Sequence, residues 1–276
     1  MTEDASRPTS SVDASVPSVA RMYDYMLGGK DNFAVDREAA ERSIRAVPQL
    51  PWFARENRKF LGRVVRFCAA AGVSQFLDIG SGLPTMDSVH QVAERVTANP
   101  QVVYVDNDPV VVTHSRALLA TSHTAAILGN VIRPEEILQD AELKGMLDFS
   151  KPVAILLIAI LHFVPDEFDP GRSVAVLREA LAPGSFLAVS HIRFRPGQVE
   201  GTTPLSEAAR ELGEARKKMP PTAPVRDNEQ IGAFFGDFTV IDPGLVDVWN
   251  WRPDHESVTN SSDVMTLTGG LARKDS

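Results

Sequence analysis

Cysteine is almost absent: the chain of 276 residues holds one, Cys68. A single thiol excludes an internal disulfide and any Cys-x-x-Cys zinc site. Set in an apolar helical stretch, Cys68 reads as a small buried hydrophobe. The six histidines show no metal-binding spacing such as His-Glu-x-x-His, so no metal is expected. No block of lysine or arginine stands out, and the formal net charge is −8. Gripping a phosphate backbone needs a positive field, which disfavours nucleic acid as a partner, and an anionic membrane surface for the same reason. Long apolar runs are missing too: the longest, residues 153–164, is too short to span a bilayer. Residues 1–15 are polar and carry acids, unlike a signal peptide. A soluble cytoplasmic protein, monomer or homodimer, is expected.

What is present suits one large domain with an extension. Residues 1–15, rich in Ser, Thr and Asp, are expected to be disordered. Val19, Met22, Tyr23 and Met26 then recur at the period of an amphipathic helix. Pro17 fits its first turn, Ser15 its cap, and Gly28-Gly29 its end. Helices over 35–46 and 52–71 complete a helical N-terminal extension, 16–72. Beyond it, strands at 75–79, 102–105, 124–128, 153–158 and 185–190 alternate with helices at 87–97, 109–119, 134–140 and 173–181. That alternation predicts a doubly wound, mostly parallel α/β sheet over 73–276. A charged helix at 207–219, a proline-rich turn at 220–224, a helix at 228–235 and strands at 238–241 and 264–271 finish the chain.

The sharpest chemical signal is FLDIGSGLP, residues 76–84. A strand runs into Gly80-Ser81-Gly82 and then a helix; the glycines permit a tight turn and a close backbone approach to a ligand. A dinucleotide fingerprint needs a third glycine where Thr85 stands. Asp78 instead precedes the turn, in the D-x-G-x-G form used for S-adenosylmethionine, where an acid can hold the ammonium of the amino-acid tail. The second strand ends in Asp106, with Asn107 beside it; a carboxylate there can accept both hydrogen bonds of a ribose diol. Asp108 suits a helix cap. After the third strand, Asn130 can read an adenine amino group and Val131 can pack on the ring. Leu161 and His162 follow the fourth strand, where open α/β sheets bind ligands. His162 and His191 are candidate general bases, and Trp249 and Trp251 candidate walls of an acceptor pocket.

FLDIGSGLP, VVYVDNDP, LLIAILHFVPD and above all PSVARMYDYMLGGKDNFAVDREAAE resemble the bacterial S-adenosyl methyltransferase family once catalogued only as a domain of unknown function. The resemblance covers residues 17–274 and implies a Rossmann-like class I methyltransferase fold: seven strands, the last antiparallel. It implies S-adenosylmethionine as cofactor but names no methyl acceptor. Asn130 departs from the Asp often found at its position; its carbonyl can still accept from adenine. On this sheet the site is open on top, so RMYDYMLGGKDNF, residues 21–33, is expected to be a lid. Tyr23 or Tyr25 would lie over the sulfonium, Gly28 and Gly29 would let the chain bend, and Lys30, Asp31 and Asn32 would position the tail or the acceptor. The expected activity is methyl transfer to a small molecule. A SAM-binding regulatory protein without turnover and a nicotinamide oxidoreductase are the rivals.

Overall fold

The computed structural model describes residues 15–84, 87–119, 121–194, 226–254 and 265–276. Three helices come first: α1 (Val19–Met26), α2 (Ala34–Ala46) and α3 (Leu50–Ala70). The sheet strands are β1 (Gln75–Ile79), β2 (Gln101–Asp106), β3 (Thr124–Leu128), β4 (Ala154–Ile158), β5 (Phe186–Phe194), β6 (Thr239–Val240), β7 (Val246–Asp247) and β8 (Met265–Arg273). Between them run α4 (Val89–Glu94), α5 (Pro109–Leu119), α6 (Pro134–Gln139), α7 (Ala141–Met146) and α8 (Pro170–Glu179). The spatial order is β3-β2-β1-β4-β5-β8-β6; β1 to β5 are mutually parallel and β8 runs antiparallel to β5. The path holds the seven strands expected, and β7, a two-residue strand, joins it sideways on β8. This is the strand arrangement that the resemblance implied, with its last long strand antiparallel.

Strand periodicity builds the two core layers. Phe76, Val102, Tyr104, Leu156 and Ala188 face a layer with Phe60, Val64 and Cys68 of α3, Val92 of α4 and Trp249 and Trp251. Their strand neighbours Leu77, Val103, Ile155 and Leu187 face the opposite layer, with Ile137, Leu143, Val174, Leu177, Phe234 and Phe235. Adjacent strand residues point to opposite faces, so one strand serves both layers. Helix α3 thus shares its core with the sheet. Cys68 is fully buried there, which pushes its thiol pKa up and leaves it inert.

Several boundaries differ from the sequence expectation for physical reasons. Strand β5 runs on to Phe194 because β8 pairs with it along its whole length. Helix α7 was not expected; the Asp140 side chain caps it by accepting from the amides of Glu142 and Leu143. Ser18, rather than Ser15, stands at the N-cap position of α1, and its hydroxyl is committed elsewhere. The helix expected at 207–219 and the turn at 220–224 lie outside the described residues. Among the described residues, no helix is long and apolar enough to cross a membrane.

Candidate functional site at the carboxyl ends of the parallel strands

Where β1 ends, the chain folds back over the tip of β2. Gly80 and Ser81 donate to the Val105 carbonyl at 2.7 and 3.2 Å. Gly80 does so at φ +76°, and a Cβ there would fall 2.2 Å from Cδ1 of Ile160. Backbone strain and collision therefore coincide at one residue. Gly80→Ala is expected to lower unfolding free energy by roughly 2–4 kcal/mol, read from urea unfolding; an unchanged midpoint would mean the turn can relax.

Asp106 fastens the same loop from the next strand. One carboxylate oxygen accepts from the Gly82 amide at 2.9 Å, the other from the Asp108 amide at 3.0 Å. Each oxygen keeps a lone pair for a ligand hydroxyl. The carboxyl is buried, which raises its pKa, while these amide bonds pull it back. Asp78 lies just below, 4 % exposed, and makes no hydrogen bond to a described residue. Burial pushes its pKa up to about 7; the Arg58 guanidinium opposes the rise and Asp106 adds to it. The Ser81 hydroxyl is buried without a partner among the described residues. A Cβ on Gly82 would meet nothing within 4 Å. An orphaned hydroxyl, an unpaired carboxyl and open space beside the loop fit a polar ligand seated here. Asn107, next to Asp106, is exposed.

The third and fourth strands complete the rim. The Asn130 carbonyl oxygen of the side chain accepts from the Ile132 amide at 3.2 Å, forming a turn. Val131 and Leu161 are buried in the layer that holds Ile137 and Val174, so their side chains feed the core. Ile160, half-buried against Gly80, takes the place at the rim foreseen for Leu161. Beside it Ala159 has φ +56°, and its amide donates to the Ser190 hydroxyl at 2.9 Å.

The histidines are spoken for. His191 is fully buried; its Nδ1 lies 2.6 Å from the Ile192 carbonyl and its Nε2 3.1 Å from Nη1 of Arg226. With Nδ1 donating, Nε2 is the acceptor for Arg226, and no lone pair is left for a substrate proton. Burial, reinforced by the Arg226 charge, lowers its pKa to about 4. His162 accepts the Ile192 amide on Nδ1 at 3.3 Å, which puts the proton of the neutral ring on Nε2. Neither ring is poised as the general base that the strand-end positions suggested. Arg226 itself, 3 % exposed, binds the carbonyls of Leu161 and Val164 at 2.8 Å each and Asp166 at 2.6 Å, stapling the loop after β4. No local pattern marks it, because its partners lie 35 to 65 residues away. Among the described residues no cluster of acidic, His or Cys side chains is arranged to hold a metal.

The stretch 21–33 is folded and bonded to its surroundings. In α1 the fully buried residues are the charged Arg21 and Asp24, whereas Val19, Met22, Tyr23 and Met26 are half-buried. Asp24 gathers the following turn: its carboxylate accepts from the Asp31 amide at 3.0 Å and the Asn32 side chain at 2.8 Å. Gly29 packs so closely on it that a Cβ would lie 2.0 Å from Asp24 Oδ1. Gly28 is exposed, as are Lys30 and Asp31. Tyr25 bonds Glu41 of α2. Ser18 donates to Asp108 at 2.9 Å, anchoring α1 at the tip of β2, while the other Asp108 oxygen caps α5 through the Val110 amide. At the opposite side the Tyr23 hydroxyl donates to the Ala54 carbonyl and accepts from Asn57; Asn57 in turn accepts from Ser190 at 2.7 Å. A chain of hydrogen bonds thus joins α1, through α3, to Ala159 at the tip of β4. Sequence reading missed Asn57 and Ser190, which are 133 residues apart.

The sequence matches the S-adenosyl methyltransferase family over residues 5–275. A solved structure of a putative methyltransferase from Thermobifida fusca is 39% identical, with TM-score 0.85, covering 98% of this chain and 99% of that one. A DUF574 family protein from Streptomyces avermitilis is 38% identical, with TM-score 0.85, covering 96% of this chain and 100% of that one. No curated protein matches the sequence. The chain belongs to the S-adenosyl methyltransferase family, whose cofactor is S-adenosylmethionine.

Proposed function

We propose, with family membership as the premise, that this chain transfers the methyl group of S-adenosylmethionine to a small-molecule acceptor by in-line displacement. The observation that carries the reading is the polar cup at the ends of β1 and β2: Asp78 and the Ser81 hydroxyl without partners among the described residues, and Asp106 with lone pairs to spare. When bound, the cofactor supplies a methyl group already activated by its sulfonium. Asp106 would accept from the ribose diol, Asp78 would face the ammonium, and the Ser81 hydroxyl would reach a polar atom between them. Asn130 would use its remaining lone pair for the adenine amino group. The segment 21–33 would close the upper side and exclude water. With both histidines engaged, the protein supplies alignment rather than a base. The acceptor would therefore attack through an atom that is nucleophilic without a protein base, or lose its proton to solvent.

Incubating the protein with cell extract and methyl-labelled S-adenosylmethionine should place label in the small-molecule fraction. Asp106→Ala should weaken binding of S-adenosylhomocysteine by about 1–3 kcal/mol, the range for hydrogen bonds to a charged group, and should abolish the labelled product at limiting cofactor. Label in nucleic acid would overturn the acceptor class. Tight cofactor binding with no labelled product from any extract would favour a regulatory role instead.

A further inference from the structure

The tip of β4 is held in an unusual shape. Ala159 has φ +56°, a left-handed conformation that a residue with a Cβ keeps only when its surroundings hold it there. The bend sends Ile160 back against the glycine turn: a Cβ on Gly80 would lie 2.2 Å from Cδ1 of Ile160 and 3.0 Å from its Cβ. One residue of β5 holds the bend. The Ala159 amide donates to the Ser190 carbonyl at 3.2 Å and to the Ser190 hydroxyl at 2.9 Å. Ser190 is fully buried, and alternation along β5 puts it on the face of Ala188, toward α3. Its hydroxyl donates to Oδ1 of Asn57 at 2.7 Å, Nδ2 of Asn57 donates to the Tyr23 hydroxyl at 3.1 Å, and Tyr23 donates to the Ala54 carbonyl at 3.0 Å. Every proton in this row runs the same way, so the serine hydroxyl has one setting, with a lone pair facing Ala159.

We propose that Ser190 is a positioning residue of the cofactor site: its hydroxyl keeps Ala159 in the left-handed bend and so seats Ile160 on the glycine turn, and Asn57 ties that setting to Tyr23 in the N-terminal segment. Ser190 acts through Ala159 and Ile160 rather than on the ligand. A turn held loosely presents Gly80, Ser81 and Gly82 in more than one arrangement, and a ligand that fits one of them binds in proportion to its population. The inference rests on the reading of the cup as an S-adenosylmethionine site and adds to it what holds the turn in its binding shape.

In the ligand-free protein, hydrogen exchange of the Gly80, Ser81 and Gly82 amides should quicken about tenfold in Ser190→Ala, while β2 and β3 stay slow. Calorimetry should show affinity for S-adenosylhomocysteine lowered about five- to tenfold, the scale of one hydrogen bond. Adding Ala159→Gly should bring both readings back to within about twofold of wild type, because glycine takes the bend without a side-chain penalty. General damage to the core would not be repaired in that way. Tyr23→Phe should weaken binding about threefold alone and add nothing in the Ser190→Ala background, since the row is already cut. Should Ser190→Ala fail to fold, Ser190→Cys fills the space, loses most of the hydrogen bonding and should show the same pattern. Unchanged exchange and affinity, a loss that Ala159→Gly does not repair, or additive losses with Tyr23→Phe would each overturn the proposal. If wild type binds no S-adenosylhomocysteine, the cofactor reading fails, while exchange in the ligand-free turn still decides the role of Ser190.

Discussion

Asp78→Asn is expected to make the ligand-free protein more stable and to cripple its cofactor site. Burial raises the Asp78 carboxyl from 3.8 to about 7. A carboxyl whose pKa is higher folded than unfolded favours the folded chain only while it is protonated. Its contribution is fully present below the unfolded value, shrinks as pH rises past about 4, and is lost once pH passes the folded value near 7. Each unit of displacement corresponds to about 1.4 kcal/mol, so the loss at about pH 8 is on the order of 4 kcal/mol. Asparagine has a similar shape and no charge to desolvate. Urea unfolding should therefore show variant and wild type nearly equal at about pH 4.5, with the variant gaining steadily toward about pH 8. Parallel curves across that range would mean that the carboxyl is compensated in the folded chain and that burial does not penalise its charge. Binding should move the other way. Holding an ammonium requires the ionised form, so wild-type affinity for S-adenosylhomocysteine should fall as pH drops below about 7, whereas the variant should be weak and flat. A group that destabilises the empty protein and is relieved by its ligand is expected at a binding site rather than in a core.

The same carboxyl shows why part of this site was legible in the sequence. Asp78, Gly80, Ser81 and Gly82 are consecutive or nearly so, and the strand that carries them is an apolar run. Asp106 ends the next such run. Local order alone brings these groups together, because parallel neighbours β1 and β2 end at the same level, with Ile79 opposite Val105. The helical extension was legible as helices but not in what it buries. Apolar periodicity assumes that charged residues face water, yet Arg21 and Asp24 are the buried residues of α1 because each has partners from outside the helix. The histidines show the converse error. His162 does follow β4, but β5 runs on to Phe194 and holds His191 inside it, and what fills the ring nitrogens comes from Arg226 and from the β5 backbone, which no local pattern announces.

Asp36→Ala is expected to release the N-terminal segment from the rest of the protein. Asp36 is fully buried and holds three donors at once: Nε of Arg21 at 2.7 Å, and the amides of Ser18 and Phe33 at 2.8 Å each. Removing the carboxylate leaves the Arg21 guanidinium, 5% exposed as a side chain, with Asp108 at 4.0 Å as its remaining counter-ion. Breaking one partner of a buried pair costs roughly 3–5 kcal/mol, more than α1 and its turn are able to recover from half-buried apolar contacts. The sheet should survive, because its two core layers are built from α3 onward apart from Val47. Hydrogen exchange should accordingly quicken over residues 18–32 and remain slow in β1, β2 and β4. This experiment also distinguishes a wall from a lid. The amides of Gly28, Gly29 and Asp31 already donate to Tyr25, Asp24 and the Asp24 carboxylate. If the segment is a preformed wall, they should be protected in the wild type before any cofactor is added, and affinity should fall in Asp36→Ala because the closed side of the cup has opened. A lid would show unprotected amides that slow only on binding. Should Asp36→Ala leave exchange and S-adenosylhomocysteine affinity as they are, the segment has no part in the site, and its dense bonding serves packing alone.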